Sequence, residues 1–259
     1  MTPTCKPSQE LPYGCTHPLQ TLDLYHQNLD PNAYWVIFIH GGVWRDPKMT
    51  KSGGSPLIHS LLSKYPHVNA ASMNYRLSPH PHYPSNGNVA KHPDHVDDVR
   101  LALSFLQERY NVKREKSVLV GHSAGAYMAF QVDAGCGAAA AVVIGVEGIY
   151  HLGKLVEEYA DYEGFIEGAF GAGWKGVDEE VLVEAKEGGR AVLIHSTQDE
   201  LLSFGQSRYW AGVLGGKGII VKEVYDVVGS HDEVLEGPEL VKVVGEELRG
   251  LEVEAVKQN

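Results

Sequence analysis

The sequence contains few cysteines and no long apolar run. Three cysteines, Cys5, Cys15 and Cys136, are too sparse and odd in number for the disulfide framework of a small secreted protein. The first residues lack the apolar core of a secretory signal, and no segment reaches the roughly 18 apolar residues that a membrane-spanning helix needs. We therefore expect a soluble cytoplasmic protein with no membrane partner.

Basic residues are also scarce relative to acidic ones. The chain has 22 Lys and Arg against 33 Asp and Glu, which gives a formal net charge of −11 at pH 7. Such a charge disfavours nucleic acid and anionic lipid as partners. Long linkers, repeats and low-complexity segments are absent too, so the sequence predicts one domain spanning 1–259.

The sequence does contain a regular alternation of strands and helices. Strands are predicted at 34–39, 68–75, 117–120, 139–144, 191–195 and 218–225, and helices at 55–64, 94–110, 124–132, 205–214 and 238–256. This alternation predicts an α/β protein with a mostly parallel central sheet and helices on both faces.

Two segments depart from the alternation. Residues 150–189 carry six aromatic side chains between two predicted strands and form a candidate cap, whose aromatics either wall a pocket or pack the cap onto the body. The first thirty or so residues contain four prolines and predict an irregular arm, in which 22–25 is at most a short edge strand.

The sequence G-H-S-A-G at 121–125 follows the apolar run 117–120. A serine with glycines two residues away on each side, between a buried strand and a helix, is typical of a nucleophile elbow, in which a strained turn lifts the Ser Oγ clear of the sheet. Side chains at the glycine positions would collide with the neighbouring strand and helix. The motif predicts that Ser123 is a nucleophile.

A second glycine motif supports this interpretation. The apolar stretch 34–39 leads directly into H-G-G-V-W at 40–44. A His-Gly-Gly sequence after a strand is typical of an oxyanion loop, because its glycines let backbone N–H groups face a developing negative oxygen. We expect an oxyanion hole formed by the N–H groups of Gly42, Val43 and Ala124, with a plain glycine turn as the alternative.

A serine nucleophile needs a general base, and the base needs an acid that fixes its tautomer. In hydrolases with this elbow the chain order is Ser, acid, His, and the acid and His lie in loops after strands. The loop after strand 191–195 contains Asp199, and the loop after strand 218–225 contains His231. We predict Ser123 as nucleophile, His231 as general base and Asp199 as orienting acid.

Four polar residues near these positions have competing interpretations. Glu200 is an alternative acid, although we expect it to point away from the pocket that holds Asp199. Glu147 follows a predicted strand, where a structural or substrate-facing role is favoured over the acid role. His195 is expected to be a hydrogen-bonded core residue, and His122 a packing residue.

Metal chemistry is the main rival. His80, His82, His92 and His95 occur within sixteen positions, but the first two lie in a proline-rich loop and no Cys or H-E-x-x-H pattern accompanies them. We therefore predict no metal and no cofactor.

Four stretches of the sequence carry a resemblance to a known family. Residues 40–47 (HGGVWRDP), 74–78 (NYRLS), 91–95 (KHPDH) and 121–125 (GHSAG) together resemble the serine-dependent kynurenine formamidases, particularly the fungal ones. Trp44 is the distinguishing position, because many carboxylesterases of the same fold have a third glycine and a small residue there. The H-x-G-T-H-x-D motif of the unrelated metal-dependent formamidases is absent.

The resemblance implies an α/β-hydrolase fold and hydrolysis of N-formylkynurenine, a small aryl formamide, to kynurenine and formate. We expect Gly41, Trp44 and Tyr150 to contact the substrate, with packing of its own loop as the alternative for Trp44. A carboxylesterase or another small-ester or small-amide hydrolase of this fold is the alternative function, and a non-catalytic ligand-binding relative is a third hypothesis. The sequence is compatible with a homodimer and does not decide the oligomeric state.

Overall fold

The computed structural model describes residues 9–26, 28, 30–84, 87–135, 140–177 and 189–258. The strands within them are β1 (Gln9–Pro12), β2 (Thr21–Tyr25), β3 (Tyr34–Ile39), β4 (Val68–Met73), β5 (Ser117–His122), β6 (Val142–Val146), β7 (Arg190–Ile194) and β8 (Ile220–Val224). They form one sheet in the order β1-β2-β4-β3-β5-β6-β7-β8. The six strands from β4 to β8 in this order pair in parallel, which confirms the predicted α/β sheet. Residue 139, the predicted start of a strand, lies outside the described residues.

Two antiparallel strands extend the sheet at the N-terminal side. β2 pairs with β1 on one side and with β4 on the other, so that Leu22 lies opposite Met73. The prediction that 22–25 is at most an edge strand is therefore wrong. Asp23 of this interior strand forms an ion pair with Lys51 Nζ at 2.9 Å. This attraction offsets the desolvation cost of placing a carboxylate there.

Helices cover both faces of the sheet. They are α1 (Ser55–Lys64), α2 (Asp94–Tyr110), α3 (Ala124–Gly135), α4 (Leu152–Glu158), α5 (Glu163–Phe170), α6 (Phe204–Gly216) and α7 (Pro238–Gln258). The strand β5 is buried along its whole length. Its Leu119 packs in the apolar cluster that contains α2 and α3, whereas Val118 and Val120 pack in the cluster that contains α1 and α7. A strand covered on both faces is expected to contain a continuous apolar run, as residues 118–120 of β5 do.

The C-terminal helix α7 is amphipathic. Leu240, Val244, Leu248 and Leu251 recur at intervals of three and four residues and are buried in the core, as expected for one face of a helix. Eight of its other positions carry charged residues. Within the part of the chain that the structure describes, no helix is both long and apolar enough to cross a lipid bilayer.

The segment predicted as a cap, 150–189, contains α4 and α5 between β6 and β7. Phe165, Phe170 and Trp174 of this segment are buried in the same apolar cluster as α2 and α3. Packing of the segment onto the body accounts for these three aromatic side chains. Residues 178–188 lie outside the described residues, and the assignment of the segment as a cap stays a prediction.

Candidate active site

Ser123 lies in a sharp turn between β5 and α3. Its φ angle of 52° is in the left-handed region, which costs a residue with a side chain about 1–2 kcal/mol. A Cβ atom on Gly125 would lie 2.2 Å from the backbone oxygen of Ile39, and one on Gly121 would lie 2.4 Å from the backbone oxygen of Gly125. The glycines therefore permit a close approach of strand, turn and helix, and the turn has the geometry of a nucleophile elbow.

The loop after β3 also adopts an unusual backbone. Gly42, Val43 and Trp44 have φ angles of 94°, 45° and 61°, so three successive residues are in the left-handed region. The carbonyl oxygen of Gly42 accepts hydrogen bonds from the N–H groups of Arg45 and Asp46 at 2.9 and 2.8 Å, which closes the turn. Successive N–H groups in such turns form concave anion sites.

The three N–H groups predicted as an oxyanion hole are not used elsewhere. Among the described residues, those of Gly42, Val43 and Ala124 donate to no protein acceptor. Ala124 is the first residue of α3, where the helix leaves its N–H groups unpaired and favours negative charge. The Tyr75 hydroxyl stabilises this loop by donating a hydrogen bond to the carbonyl oxygen of Gly41 at 2.8 Å.

Asp199 and His231 form a buried hydrogen-bonded pair. His231 Nδ1 donates to Asp199 Oδ2 at 2.9 Å, and the two side chains are 5% and 1% exposed. Asp199 Oδ1 accepts from the N–H groups of Leu201 and Leu202 at 2.8 and 2.9 Å. Burial alone would raise the pKa of Asp199, but the hydrogen bond from His231 holds it well below its ordinary value. Asp199 is therefore ionised where it accepts the hydrogen bond from His231 Nδ1.

Two further side chains fix the backbone of His231. His122 Nε2 donates to the carbonyl oxygen of His231 at 3.0 Å, and Glu200 Oε2 accepts from its N–H at 3.0 Å. Burial lowers the pKa of His122 to about 3, so this imidazole is neutral at physiological pH. The sequence predicted only packing for His122, because a contact with a loop 109 residues away leaves no signal in local spacing.

Among the described residues, no hydrogen bond joins Ser123 to His231. Within the described residues, the hydrogen bonds of His231 go to Asp199, Glu200 and His122, and none goes to the Ser123 hydroxyl. Ser123 lies next to His122, whose ring centroid is 4.8 Å from that of His231. Hydrogen bonds between nucleophile and base are often loose without substrate. The structure thus brings Asp199 and His231 together, and Ser123 follows the residue whose ring contacts His231.

Glu147 lies in the loop after β6 and is completely buried. Its φ angle is 45°, and its Oε1 accepts from the N–H of Ser196 at 2.7 Å. Its Oε2 is 3.3 Å from His195 Nε2. His195 is the hydrogen-bonded core residue that the sequence predicted, because its ring nitrogens contact Ser207 Oγ at 2.9 Å and the carbonyl oxygen of Leu202 at 3.1 Å.

Two groups of side chains have the spacing of metal ligands. In one group the ligand atoms of Glu147, His195 and Asp199 lie within 4.8 Å of one another, and in the other those of His122, His231 and Asp232 do so. Asp199 Oδ2 already binds His231, and His195 and His122 already use their Nε2 atoms in hydrogen bonds to carbonyl oxygens. The observed hydrogen bonds therefore occupy atoms that a metal would need.

The four histidines of the rival metal hypothesis lie in three different settings. His95 is buried, with its Nε2 3.0 Å from Ser78 Oγ. The His92 ring stacks on Phe170 with a centroid distance of 5.0 Å. His80 and His82 lie in an exposed loop, and their ring centroids are 5.9 Å apart.

The residues expected to contact substrate differ in their surroundings. Trp44 is 1% exposed and meets Phe170 and Tyr127 edge to face at 4.9 and 5.6 Å. A Cβ atom on Gly41 would lie 2.8 Å from Ser123 Cβ, so the backbone of Gly41 packs closely against Ser123. Tyr150 is 3% exposed and stacks on Trp210 at 5.9 Å, an arrangement that supports packing rather than substrate contact.

Comparisons with known proteins identify the family of the chain. A family model described as BD-FAE matches residues 22–136. Over 97% of this chain and 99% of the relative, the sequence is 33% identical to a kynurenine formamidase from Meyerozyma guilliermondii. The chain belongs to the kynurenine formamidase family. Another relative in this family, kynurenine formamidase avaC from Aspergillus versicolor, is 33% identical over 80% of this chain and 85% of its own length.

Comparison with a solved structure of another protein identifies the fold of this chain. Esterase B from Lactobacillus Rhamnosis superposes with a TM-score of 0.75 at 20% identity, covering 98% of this chain and 88% of the esterase. The α/β-hydrolase fold is therefore confirmed, as is the resemblance to kynurenine formamidases that the four sequence motifs carry.

Proposed function

We propose that the protein hydrolyses N-formylkynurenine to kynurenine and formate. The observation that carries this proposal is the 33% identity to a fungal kynurenine formamidase over nearly the full length of both chains. The pairing of His231 with Asp199, beside the strained turn at Ser123, supports serine-dependent acyl transfer as the chemistry.

The first half of the proposed reaction transfers the formyl group to the enzyme. Ser123 Oγ attacks the formyl carbon while His231 Nε2 takes the hydroxyl proton, and Asp199 stabilises the imidazolium that forms. The tetrahedral oxyanion then collapses and breaks the carbon–nitrogen bond. His231 gives its proton to the departing aryl amine, so that kynurenine leaves and a formyl ester remains on Ser123.

Water completes the reaction by the reverse use of the same groups. His231 removes a proton from a water molecule, whose oxygen attacks the formyl ester, and the proton is then returned to Ser123 Oγ as formate leaves. Both tetrahedral intermediates place negative charge on the former formyl oxygen. The unpaired N–H groups of Gly42, Val43 and Ala124 support its stabilisation, and one such donor typically contributes about 3 kcal/mol.

The aromatic cluster behind the oxyanion loop supports a narrow acyl side of the site. Trp44 follows Val43 directly and is fixed by edge-to-face contacts with Phe170 and Tyr127. A formyl group carries hydrogen where other acyl groups carry carbon. A rigid wall at this point therefore favours formyl over larger acyl groups, because added methylenes have no space.

The partner of the site in this proposal is a small aryl formamide, and the enzyme works in the cytoplasm. Cys15 is exposed and free, which supports a reducing compartment. Cys5 and Cys136 lie outside the described residues. A homodimer stays a prediction.

The test compares substrates with the purified protein. We expect kcat/KM for N-formylkynurenine, followed by the absorbance of kynurenine and by released formate, to exceed the values for p-nitrophenyl acetate and butyrate. The Ser123→Ala variant serves as the control for contaminating hydrolases. A strong preference for the simple esters would refute the formamidase function and identify a small-ester hydrolase of the same fold.

A further inference from the structure

Two buried carboxyl groups lie side by side beneath His231. Glu147 follows β6 and Asp199 follows β7, and these strands are neighbours in the sheet. Their ligand oxygens and His195 Nε2 all lie within 4.8 Å of one another. The Glu147 side chain is 0% exposed and that of Asp199 is 1% exposed. Two negative charges this close and this buried are strongly unfavourable, so one group must hold a proton.

The hydrogen bonds show which group is ionised. Asp199 accepts three N–H donors, from Leu201, Leu202 and His231. Glu147 accepts one, from Ser196 to its Oε1. Donors to a carboxylate favour its ionised form, so the charge belongs on Asp199 and the proton on Glu147.

The remaining oxygen of Glu147 identifies the position of the proton. Within the described residues, Oε2 is buried and receives no hydrogen bond. His195 Nε2 lies 3.3 Å away, but its hydrogen points to the carbonyl oxygen of Leu202, which can only accept. A protonated Oε2 would be a donor, and the Asp199 carboxylate in the same cluster is an acceptor for its hydrogen.

We propose that Glu147 is a positioning residue that carries a proton on Oε2 and donates it in a hydrogen bond to Asp199, which keeps the Asp199 carboxylate aimed at His231. This inference rests on the proposed function for the role of Asp199. The backbone of Glu147 supports it, because a left-handed φ of 45° on a residue with a side chain persists only where surrounding contacts fix it, often at functional sites.

The titratable groups that face Glu147 all favour its neutral form. Burial, together with the hydrogen bond to Asp199 and the nearby charge of Glu200, raises the pKa of Glu147 to about 10. Burial lowers the pKa of His195, and burial raises that of Tyr150, so both are neutral near pH 7. None of these neighbours supplies a positive charge that would stabilise an ionised Glu147.

The first experiment tests the proton without using any substrate. A buried glutamic acid that stays protonated makes the folded protein less stable as the pH rises from about 4.5 towards 10, because only the unfolded chain releases the proton in this range. We expect the unfolding equilibrium constant of the wild type, relative to that of Glu147→Gln, to rise between pH 5 and 9 by up to about tenfold per pH unit. Urea unfolding at each pH measures it.

The matched control for this experiment is Glu108→Gln, which removes an exposed carboxylate from α2. We expect its unfolding constant to keep a fixed ratio to that of the wild type across the same pH range. A flat ratio for Glu147→Gln as well would show that Glu147 is ionised and would overturn the proposal.

The second experiment tests the positioning of Asp199. Glutamine retains both an acceptor for Ser196 and an N–H donor for Asp199, so Glu147→Gln should keep kcat within about threefold of the wild type. Glu147→Leu lacks the donor and should lower kcat about 10- to 100-fold with little change in KM. Rescue by glutamine but not by leucine separates hydrogen-bond donation from mere filling of space.

These kinetics use p-nitrophenyl acetate together with N-formylkynurenine. If the wild type hydrolyses the ester but not the formamide, the proposed function fails while the role of Glu147 is still measured. If Glu147→Gln is as inactive as Asp199→Asn, Glu147 acts as an ionised acid and the inference is wrong. If Glu147→Leu does not fold, the unfolding constants and the kcat of Glu147→Gln still test whether Glu147 carries the proton.

Discussion

His122 Nε2 donates a hydrogen bond to the backbone carbonyl oxygen of His231 at a distance of 3.0 Å. The residue before the predicted nucleophile thereby holds the loop that carries the predicted base. Since His122 belongs to β5, which is buried along its length inside the sheet, this bond ties that loop to the core of the fold.

Replacing His122 by phenylalanine removes the donor and leaves the carbonyl of His231 unpaired. We expect the free energy of unfolding to fall by about 1–3 kcal/mol and kcat to fall by at least about tenfold, because the base loop loses its anchor. Urea unfolding and steady-state kinetics measure the two effects. An unchanged kcat in a folded variant would show that the loop is held by its other contacts, such as Glu200.

Removing the hydroxyl of Ser123 should abolish turnover without preventing folding. The strained backbone adds a second expectation, because glycine adopts a φ of 52° without the penalty that alanine incurs. We expect Ser123→Gly to be more stable than Ser123→Ala by about 1 kcal/mol in urea unfolding, with both variants inactive. Equal stabilities would mean that the turn stores no strain, and measurable turnover in either variant would exclude Ser123 as the nucleophile.

Asparagine at position 199 should preserve the loop but impair the base. Its amide oxygen can still accept from the N–H groups of Leu201 and Leu202, whereas its NH2 group would face His231 Nδ1 and favour the wrong tautomer. We expect kcat to fall by about 10⁴-fold with little change in KM. Circular dichroism checks folding, and near wild-type turnover would remove Asp199 from the site.

Buried histidines should make the protein sensitive to acid. Burial lowers the pKa values of His40 and His95 to about 4, so the folded state excludes protons that the unfolded chain binds below about pH 6.5. The stability is therefore fully present above pH 6.5 and is lost as the pH falls towards 4. We expect His95→Gln to reduce the slope of the free energy of unfolding against pH by up to about 1.4 kcal/mol per pH unit in this range.

The control for this prediction is His82→Gln, since His82 is exposed. Urea unfolding between pH 4 and 7 compares the two variants with the wild type. If His95→Gln keeps the wild-type slope, the buried imidazole is not what makes the fold sensitive to acid.

Trp44 allows a test of acyl specificity. Phenylalanine is smaller and would open space beside Phe170 and Tyr127, where Trp44 now packs edge to face. We expect Trp44→Phe to raise kcat/KM for p-nitrophenyl butyrate relative to acetate by about tenfold, because the added methylenes gain room. Trp174→Phe, which changes a buried tryptophan elsewhere, should leave the ratio unchanged. An unchanged ratio for Trp44→Phe would indicate that Trp44 only packs its loop.

Local motifs predicted the turn at Ser123 and the two loop residues of the candidate site. The glycines around Ser123 are required by contacts with adjacent backbone, so their spacing alone indicated the turn. Asp199 and His231 were predicted as its partners from the order of strands, because parallel strands place their following loops at one edge of the sheet. Their hydrogen bond at 2.9 Å agrees with that reasoning.

Other features depend on tertiary contacts that a single sequence does not reveal. β2 carries Asp23 inside the sheet, and only the distant Lys51 explains why a charge is tolerated there. Glu147 gains its importance from the neighbour relationship of β6 and β7, which the chain order does not specify. The signal for Glu147 was a carboxylate directly after a strand, but the same pattern also fits a structural role.

The left-handed run from Gly42 to Trp44 has a consequence for protein engineering. Three successive residues hold a conformation that side chains rarely adopt, so an insertion or deletion among them would displace the N–H groups of Gly42 and Val43 from their present positions. Grafting a loop from a related esterase would therefore have to exchange the whole stretch at once. Point substitutions that keep the chain length are the practical way to retune this enzyme.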